Sequence, residues 1–221
     1  EKDRQLKQLT ARVMELESKV REPNYPPCVP LVHHIIAKEI PDRRQKYVKA
    51  MFFNFHFTCV LLVLNMIFYF VVAAGDLKED EDDDVNDDFR KGQWLALAYL
   101  LGIFLSFPMW YWPVYRSVAT GITAKYVFSF IGLGLSICGN VFSIIGIPGY
   151  GALGFLCMTK AFADKASSTP GYLCIVTTVM WCISTAILVF GFVWQIRYYR
   201  KDKKSMRSAQ ADAKDLVGQA I

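Results

Sequence analysis

Four long stretches of the chain contain no Asp, Glu, Lys or Arg: Ala50 to Gly75, Gly92 to Tyr115, Tyr126 to Thr159 and Ala166 to Ile196. A helix crossing a hydrocarbon core needs about 20 predominantly apolar residues, and each stretch is long enough. A soluble domain would interrupt such runs with a polar face at helical spacing. The pattern predicts an all-α integral membrane protein with four transmembrane helices, at about 49–74, 93–111, 126–147 and 172–194. Together they make a membrane domain over 49–196.

The 221 residues are 53% hydrophobic with a net charge of +5, which leaves room for one small membrane domain with polar ends and no large extramembrane domain. The chain begins at Glu1 rather than Met, so an upstream segment is expected. The charged N-terminus carries no cleavable leader, and the first span is expected to act as the insertion signal. Within residues 1–21, Leu6, Leu9, Val13, Leu16 and Val20 repeat at spacings of 3 and 4, the a/d seam of a short coiled coil. That seam predicts a self-association helix and a homo-oligomer. The competing reading is a solvated helix fragment, because about two heptads are marginal alone. Residues 22–48 form a pre-membrane segment in which Glu22 to Pro30 (EPNYPPCVP) breaks the helix. Leu31, Ile35, Ile36 and Ile40 then give an amphipathic lead-in, bent at Pro41.

Basic residues near span ends orient the chain. Lys38, Arg43, Arg44, Lys46 and Lys49 precede the first span, and Arg197, Arg200, Lys201, Lys203, Lys204 and Arg207 follow the fourth. The loops carry fewer. Both termini are therefore expected in the cytosol, with the basic tail 197–221 and a loop over Trp112–Lys125. The acidic loop Asp76 to Asp88 is expected on the other side. Residues 150–165, entered through Gly149, Gly151 and Gly154, are read as an interfacial segment.

Chemistry-bearing groups are sparse. The acidic run lacks the turn glycine and terminal Glu of a calcium loop and reads as a solvated loop. His33 and His34 diverge by about 100° on a helix and cannot share a face. The six cysteines form no CxxC pair, and Cys28, outside the spans, is the one placed for a lipid chain. His56, Asn65 and Asn140 are polar groups inside spans, where interhelical hydrogen bonds are the usual use. Gly132, Ser136, Gly139 and Ser143 supply small-xxx-small pairs that fit an intramolecular bundle or a dimer. No catalytic site, metal site or cofactor is expected, and no nucleic-acid partner.

Two segments carry a family resemblance. Asn24-Tyr25-Pro26-Pro27-Cys28-Val29-Pro30-Leu31-Val32-His33-His34, continuing to Glu39-Ile40-Pro41, resembles the pre-membrane segment of secretory carrier-associated membrane proteins. Trp110-Tyr111-Trp112-Pro113-Val114-Tyr115-Arg116 is similar to that family's W-Y-R-P-[LV]-Y motif between spans two and three. The resemblance covers residues 1–207. It implies a non-enzymatic protein of post-Golgi and recycling membranes (trans-Golgi, recycling endosome, secretory vesicle, plasma membrane) that acts in endocytosis and exocytosis with trafficking and fusion machinery. It also implies that the linker after span two engages membrane and phosphoinositides. Trp112 stands where the family has Arg, which removes a cation there, and the family's N-terminal Asn-Pro-Phe repeats are not in this sequence.

The same residues have a physical reading. Trp110, Tyr111, Trp112, Pro113 and Tyr115 suit a headgroup region, where rings bury a face and direct a polar edge to water. Arg116 is then within reach of a lipid phosphate; an aromatic anchor for a tight turn is the competing reading. The six tail cations predict attraction to acidic phospholipids at about 1 kcal/mol each near the surface; a topology signal alone is the alternative. Rival functions are a synaptophysin-like tetraspan scaffold, which the His33-His34 segment argues against, and a small channel or transporter. The last would need Asp, Glu, Lys or Arg within the spans, and the four charge-free stretches hold none.

Overall fold

The computed structural model describes residues 23–26, 30, 32–74, 84–163 and 169–219, with side chains described at all of these but 84–88, 206 and 209–219. The heptad positions Leu6 to Val20, Pro27 and the acidic loop as far as Asp83 lie outside the described residues. The chain forms two compact units, Glu1–Gln45 and Lys46–Ile221. The helices are α1 Ile36–Glu39, α2 Asp42–Ala74, α3 Asp84–Ala98, α4 Leu101–Ser106, a π-helical turn Phe107–Tyr111, α5 Trp112–Thr120, α6 Thr123–Ile145, α7 Phe155–Ala163 and α8 Thr169–Gln219. Among the described residues there is no strand, only an isolated antiparallel bridge between Tyr25 and Val32.

That bridge organises the first unit. Tyr25 and Val32 exchange backbone hydrogen bonds of 3.1 and 3.0 Å, across a chain that turns at the cis Tyr25–Pro26 peptide. Asn24 clasps His34: its Nδ2 donates to the His34 carbonyl at 3.2 Å and its Oδ1 accepts from the His34 amide at 2.7 Å. His33 and His34 lie in irregular backbone rather than on a helix, and His33 Nε2 is 3.8 Å from a Glu39 carboxylate oxygen. Ile40 is buried, and Pro41, which cannot donate an amide, separates α1 from α2.

Four helices are long and apolar enough to cross a membrane: Asp42–Ala74, Phe89–Thr120, Thr123–Ile145 and Thr169–Ser205. Each contains one of the expected spans except that span three ends at Ile145, two residues early. Three boundaries differ from the sequence expectation. Span two does not end at Tyr111. The helix continues to Thr120, so the expected loop over Trp112–Lys125 is reduced to Gly121 and Ile122. Two prolines in this stretch are absorbed. Pro108 sits in the π turn, where the Trp112 amide reaches back to the Phe107 carbonyl, and Pro113 occupies the first turn of α5, where its missing amide costs little. The basic tail continues the helix of span four, with α8 unbroken from Thr169 to Gln219. Within residues 150–165 the chain is irregular to Gly154 and helical over α7.

In hydrocarbon no water can satisfy a side-chain amide, and most buried polar groups pair between elements. Asn65 donates to the Gly151 carbonyl at 2.8 Å and accepts from the Leu153 amide at 3.0 Å, fixing the loop before α7 against α2. Asn140 Nδ2 donates to Ser184 Oγ at 3.1 Å, and Thr58 meets the same hydroxyl at 3.2 Å. His56 instead bonds the carbonyl of Phe52 in its own helix. Asn54 is fully buried, yet neither of its amide atoms has a hydrogen-bond partner among the described residues.

Two substitutions should therefore move stability in opposite directions. Asn65→Leu strands a buried amide and carbonyl and should lower the stability of the detergent-solubilised protein by about 1–3 kcal/mol. Asn54→Leu removes an unpaired buried amide and should raise it by about 1–2 kcal/mol. Thermal aggregation midpoints of the two variants against the parent measure both.

Candidate functional site

The expected site residues of the second unit gather at one end of the bundle, where the start of α2, the α5–α6 hairpin and the middle of α8 meet. The π turn changes the phase of the helix and aims Trp110 and Tyr111 at the Phe-rich face of α2. Tyr111 stacks on Phe55 with ring centroids 5.6 Å apart and lies 5.3 Å from Phe52, while Trp110 meets Phe55 edge-on at 6.3 Å. Trp110, Tyr111 and Tyr115 are 0–1% exposed. They are not the outward-facing headgroup anchors expected from sequence. Once wound into helix beside α2, these rings gain more from mutual packing than from an interface. Trp112 and Pro113 keep part of their surface and Arg116 is exposed. Trp112 stacks on Tyr115 at 5.3 Å, and the Arg116 guanidinium sits over Trp112 at 5.6 Å.

One side chain ties the elements together. Gln195, fully buried in α8, donates from Nε2 to Ser117 Oγ of α5 at 2.6 Å and to Ser129 Oγ of α6 at 2.7 Å. Its Oε1 accepts from the Tyr47 hydroxyl of α2 at 2.9 Å. A second latch lies nearer the hairpin tip, where the Tyr126 hydroxyl donates to Asp202 Oδ2 at 2.7 Å. Gly121 caps α5 with φ of +68°, a conformation that favours glycine, and a Cβ there would lie 3.3 Å from Asp202 Oδ2. Hairpin and α8 are thus held in one register.

That register decides where the tail cations point. Arg197, Arg200, Lys201, Lys203, Lys204 and Arg207 are all exposed. At about 100° per residue they fall within an arc of about 160°. Gln195, Tyr198 and Asp202 lie on the opposite arc and face the bundle. Arg197 lies 5.2 Å over the Trp194 ring and Lys203 5.6 Å over Tyr199. Lys46 and Lys49 of α2 are exposed at this same end, so one rim of the bundle is cationic.

Asn24, Pro26, Pro30, His33, His34, Glu39, Ile40 and Pro41 belong to the first unit. Sequence reasoning missed Gln195, Tyr47 and the Tyr126–Asp202 latch. Gln195 carried a usable signal, since it is a polar residue inside a charge-free stretch, as Asn65 and Asn140 are. No group of three or more His, Cys, Asp or Glu side chains able to hold a metal occurs among the described residues. Burial pushes the Cys157 thiol up to about 11, against weaker downward pulls from its bond to Gly154 and from Lys160. It is therefore protonated and unreactive at neutral pH. The arrangement offers a cationic, partly aromatic surface.

Comparison with known proteins agrees with this layout. A family model described as the SCAMP family matches residues 22–202. Secretory carrier-associated membrane protein 5 of Oryza sativa subsp. japonica is 29% identical over 191 residues, covering 83% of this chain and 63% of the relative. Secretory carrier-associated membrane protein 4 of Arabidopsis thaliana is 25% identical over 209 residues, covering 91% of this chain and 74% of the relative. The chain thus spans a little under two thirds of the rice relative's length. No solved structure matches.

Removing the Gln195 amide should loosen the rim without dissolving the spans. Gln195→Leu removes the shared partner of Tyr47, Ser117 and Ser129, although Tyr47 keeps the Gly191 carbonyl and Ser117 the Val114 carbonyl, and should cost about 1–3 kcal/mol. Limited trypsinolysis at Arg116 and Lys125 in the hairpin should then accelerate by about tenfold, while cleavage at Arg90 and Lys91 stays near the parent rate.

Proposed function

We infer function from one premise: the chain belongs to the SCAMP family. It is a multi-pass membrane protein with four candidate spans, and its relatives carry the names of secretory carrier proteins. The reading we favour is a non-catalytic protein of post-Golgi, recycling-endosome and secretory-vesicle membranes, reaching the plasma membrane in endocytosis and exocytosis. In this reading the cationic rim faces the cytosol and engages acidic phospholipids, phosphoinositides included. It thereby brings trafficking and fusion machinery to the membrane, and the heptads of residues 1–21 promote self-association.

The observation that carries the reading is the segregation of α8: six exposed cations on one arc, with Gln195 and Asp202 locking the other arc to the hairpin. A rigid stripe of this kind attracts anionic surfaces at about 1 kcal/mol per basic residue. Arg116 and Trp112 extend it from the neighbouring helix. Trp110, Tyr111 and Tyr115 act through the hairpin they hold in shape, since their own surfaces are buried.

Two measurements test this. A tagged copy imaged with trans-Golgi and recycling-endosome markers should colocalise with both, and confinement to the endoplasmic reticulum in a well-expressing cell contradicts the assignment. Proteoliposomes containing the whole chain should capture vesicles rich in phosphatidylserine or phosphoinositide. Arg200→Gln, Lys204→Gln and Arg207→Gln together should weaken capture, by about fivefold per residue at low salt. Capture indifferent to vesicle charge removes the lipid part of the reading.

A further inference from the structure

The second and third spans do not stay in contact along their length. They touch where Gly132 of α6 meets the π turn: a Cβ there would lie 2.9 Å from Trp110 Cα and would also strike the Met109 carbonyl. One turn of π helix and one glycine make the vertex of a V. Two turns further along α6, a Cβ at Gly139 would meet nothing within 4 Å. The gap is a cleft of about 440 Å³ that runs from Met109 toward Tyr99, with Trp181 of α8 in its wall. Its mouth is bordered by Leu101, Leu105 and Leu135, all exposed side chains of membrane-spanning helices. It therefore opens sideways into lipid.

The chemistry of the walls narrows the occupant. No lining residue carries a charge, so a phosphate headgroup would enter without a cation to pair with, at high cost. One donor is waiting. Trp181 is 3% exposed and its indole N–H has no acceptor among the described residues. Trp181 belongs to a buried cluster with Leu61 and Leu62, against which Tyr99, Ile103 and Ile144 pack, and Tyr99, Asn140 and Ser143 line the cleft with it. Leu105, Leu135 and Ser106 line the cleft toward Met109, and the Ser106 hydroxyl is already donated to the Gly102 carbonyl. An α-helix about 10–12 Å across needs more room, whereas the volume lies within the ~300–1,000 Å³ of small-molecule sites.

We propose that the cleft between α4 and α6 is a lateral binding site for a membrane sterol, its single hydroxyl turned toward Trp181 and its rings lying against Gly139 and Gly102. A neutral hydroxyl both donates and accepts, so a modest turn of the indole gives the buried N–H an acceptor. Gly139 leaves a flat wall suited to a rigid ring system, and no charge has to be buried.

Photolabelling tests this on the full-length chain in proteoliposomes containing a photoreactive cholesterol analogue. Label should map to peptides within 98–109 and 135–143 and be competed by excess cholesterol. Gly139→Phe fills the cleft and should remove the label. Trp181→Phe keeps the ring but loses the N–H, and should reduce label by about fivefold. Gly134→Phe, at another site with nothing within 4 Å of a new Cβ, should leave it unchanged, which controls for folding and for contact with bulk lipid. Equal labelling of all three variants overturns the proposal. So does preferential labelling of the cleft by a photoreactive phospholipid, or a crosslink joining the cleft to a second copy of the chain.

Discussion

A polar side chain inside hydrocarbon has no water to fall back on, and this constraint arranges the molecule. Apolar packing alone would let four similar helices slide and rotate, because lipid tails are as apolar as leucine. Three polar positions remove that freedom at three depths. Asn65 pins the loop at one end, Asn140 with Ser184 and Thr58 joins three helices near the middle, and Gln195 gathers α2, α5 and α6 onto α8 at the other end. Each is worth only about 1 kcal/mol net. Each also forbids every alternative register, since a slipped helix would strand its amides.

The consequence reaches the surface through α8. Because Gln195 and Asp202 fix its inward arc, the six cations are aimed by a buried amide they never touch. A flexible tail of the same composition would carry the same charge without direction. The aromatic hairpin contributes in the same indirect way, for Tyr111 and Trp110 pack on Phe55 and hold α5 close enough for Ser117 to reach Gln195.

The four spans were legible because absence of charge over 24 residues or more is a strong, additive signal. The reach of helix beyond the charge-free stretches was not. Pro108 and Pro113 are ordinary breakers when read locally, but a π turn absorbs the first and the helical first turn tolerates the second. The aromatic motif was legible as a special segment and misread in direction. Trp and Tyr belong equally to a membrane interface and to a tight core, and only the phase set by the π turn separates the two. Gln195 fell just past the expected end of span four, inside the same charge-free stretch, and its polarity was given no role.

The two glycines of α6 make the same point about what spacing can say. Gly132 and Gly139 are seven residues apart on nearly one face, and as sequence they are equivalent small positions for close packing. Gly132 is consumed within the chain by the backbone at Met109 and Trp110. Gly139 faces open space because the helix it would have met has already diverged. The divergence is set at the π turn, which also carries the chain into the hairpin. One local irregularity thus both seals the bundle at the cationic rim and leaves it unsealed two turns away.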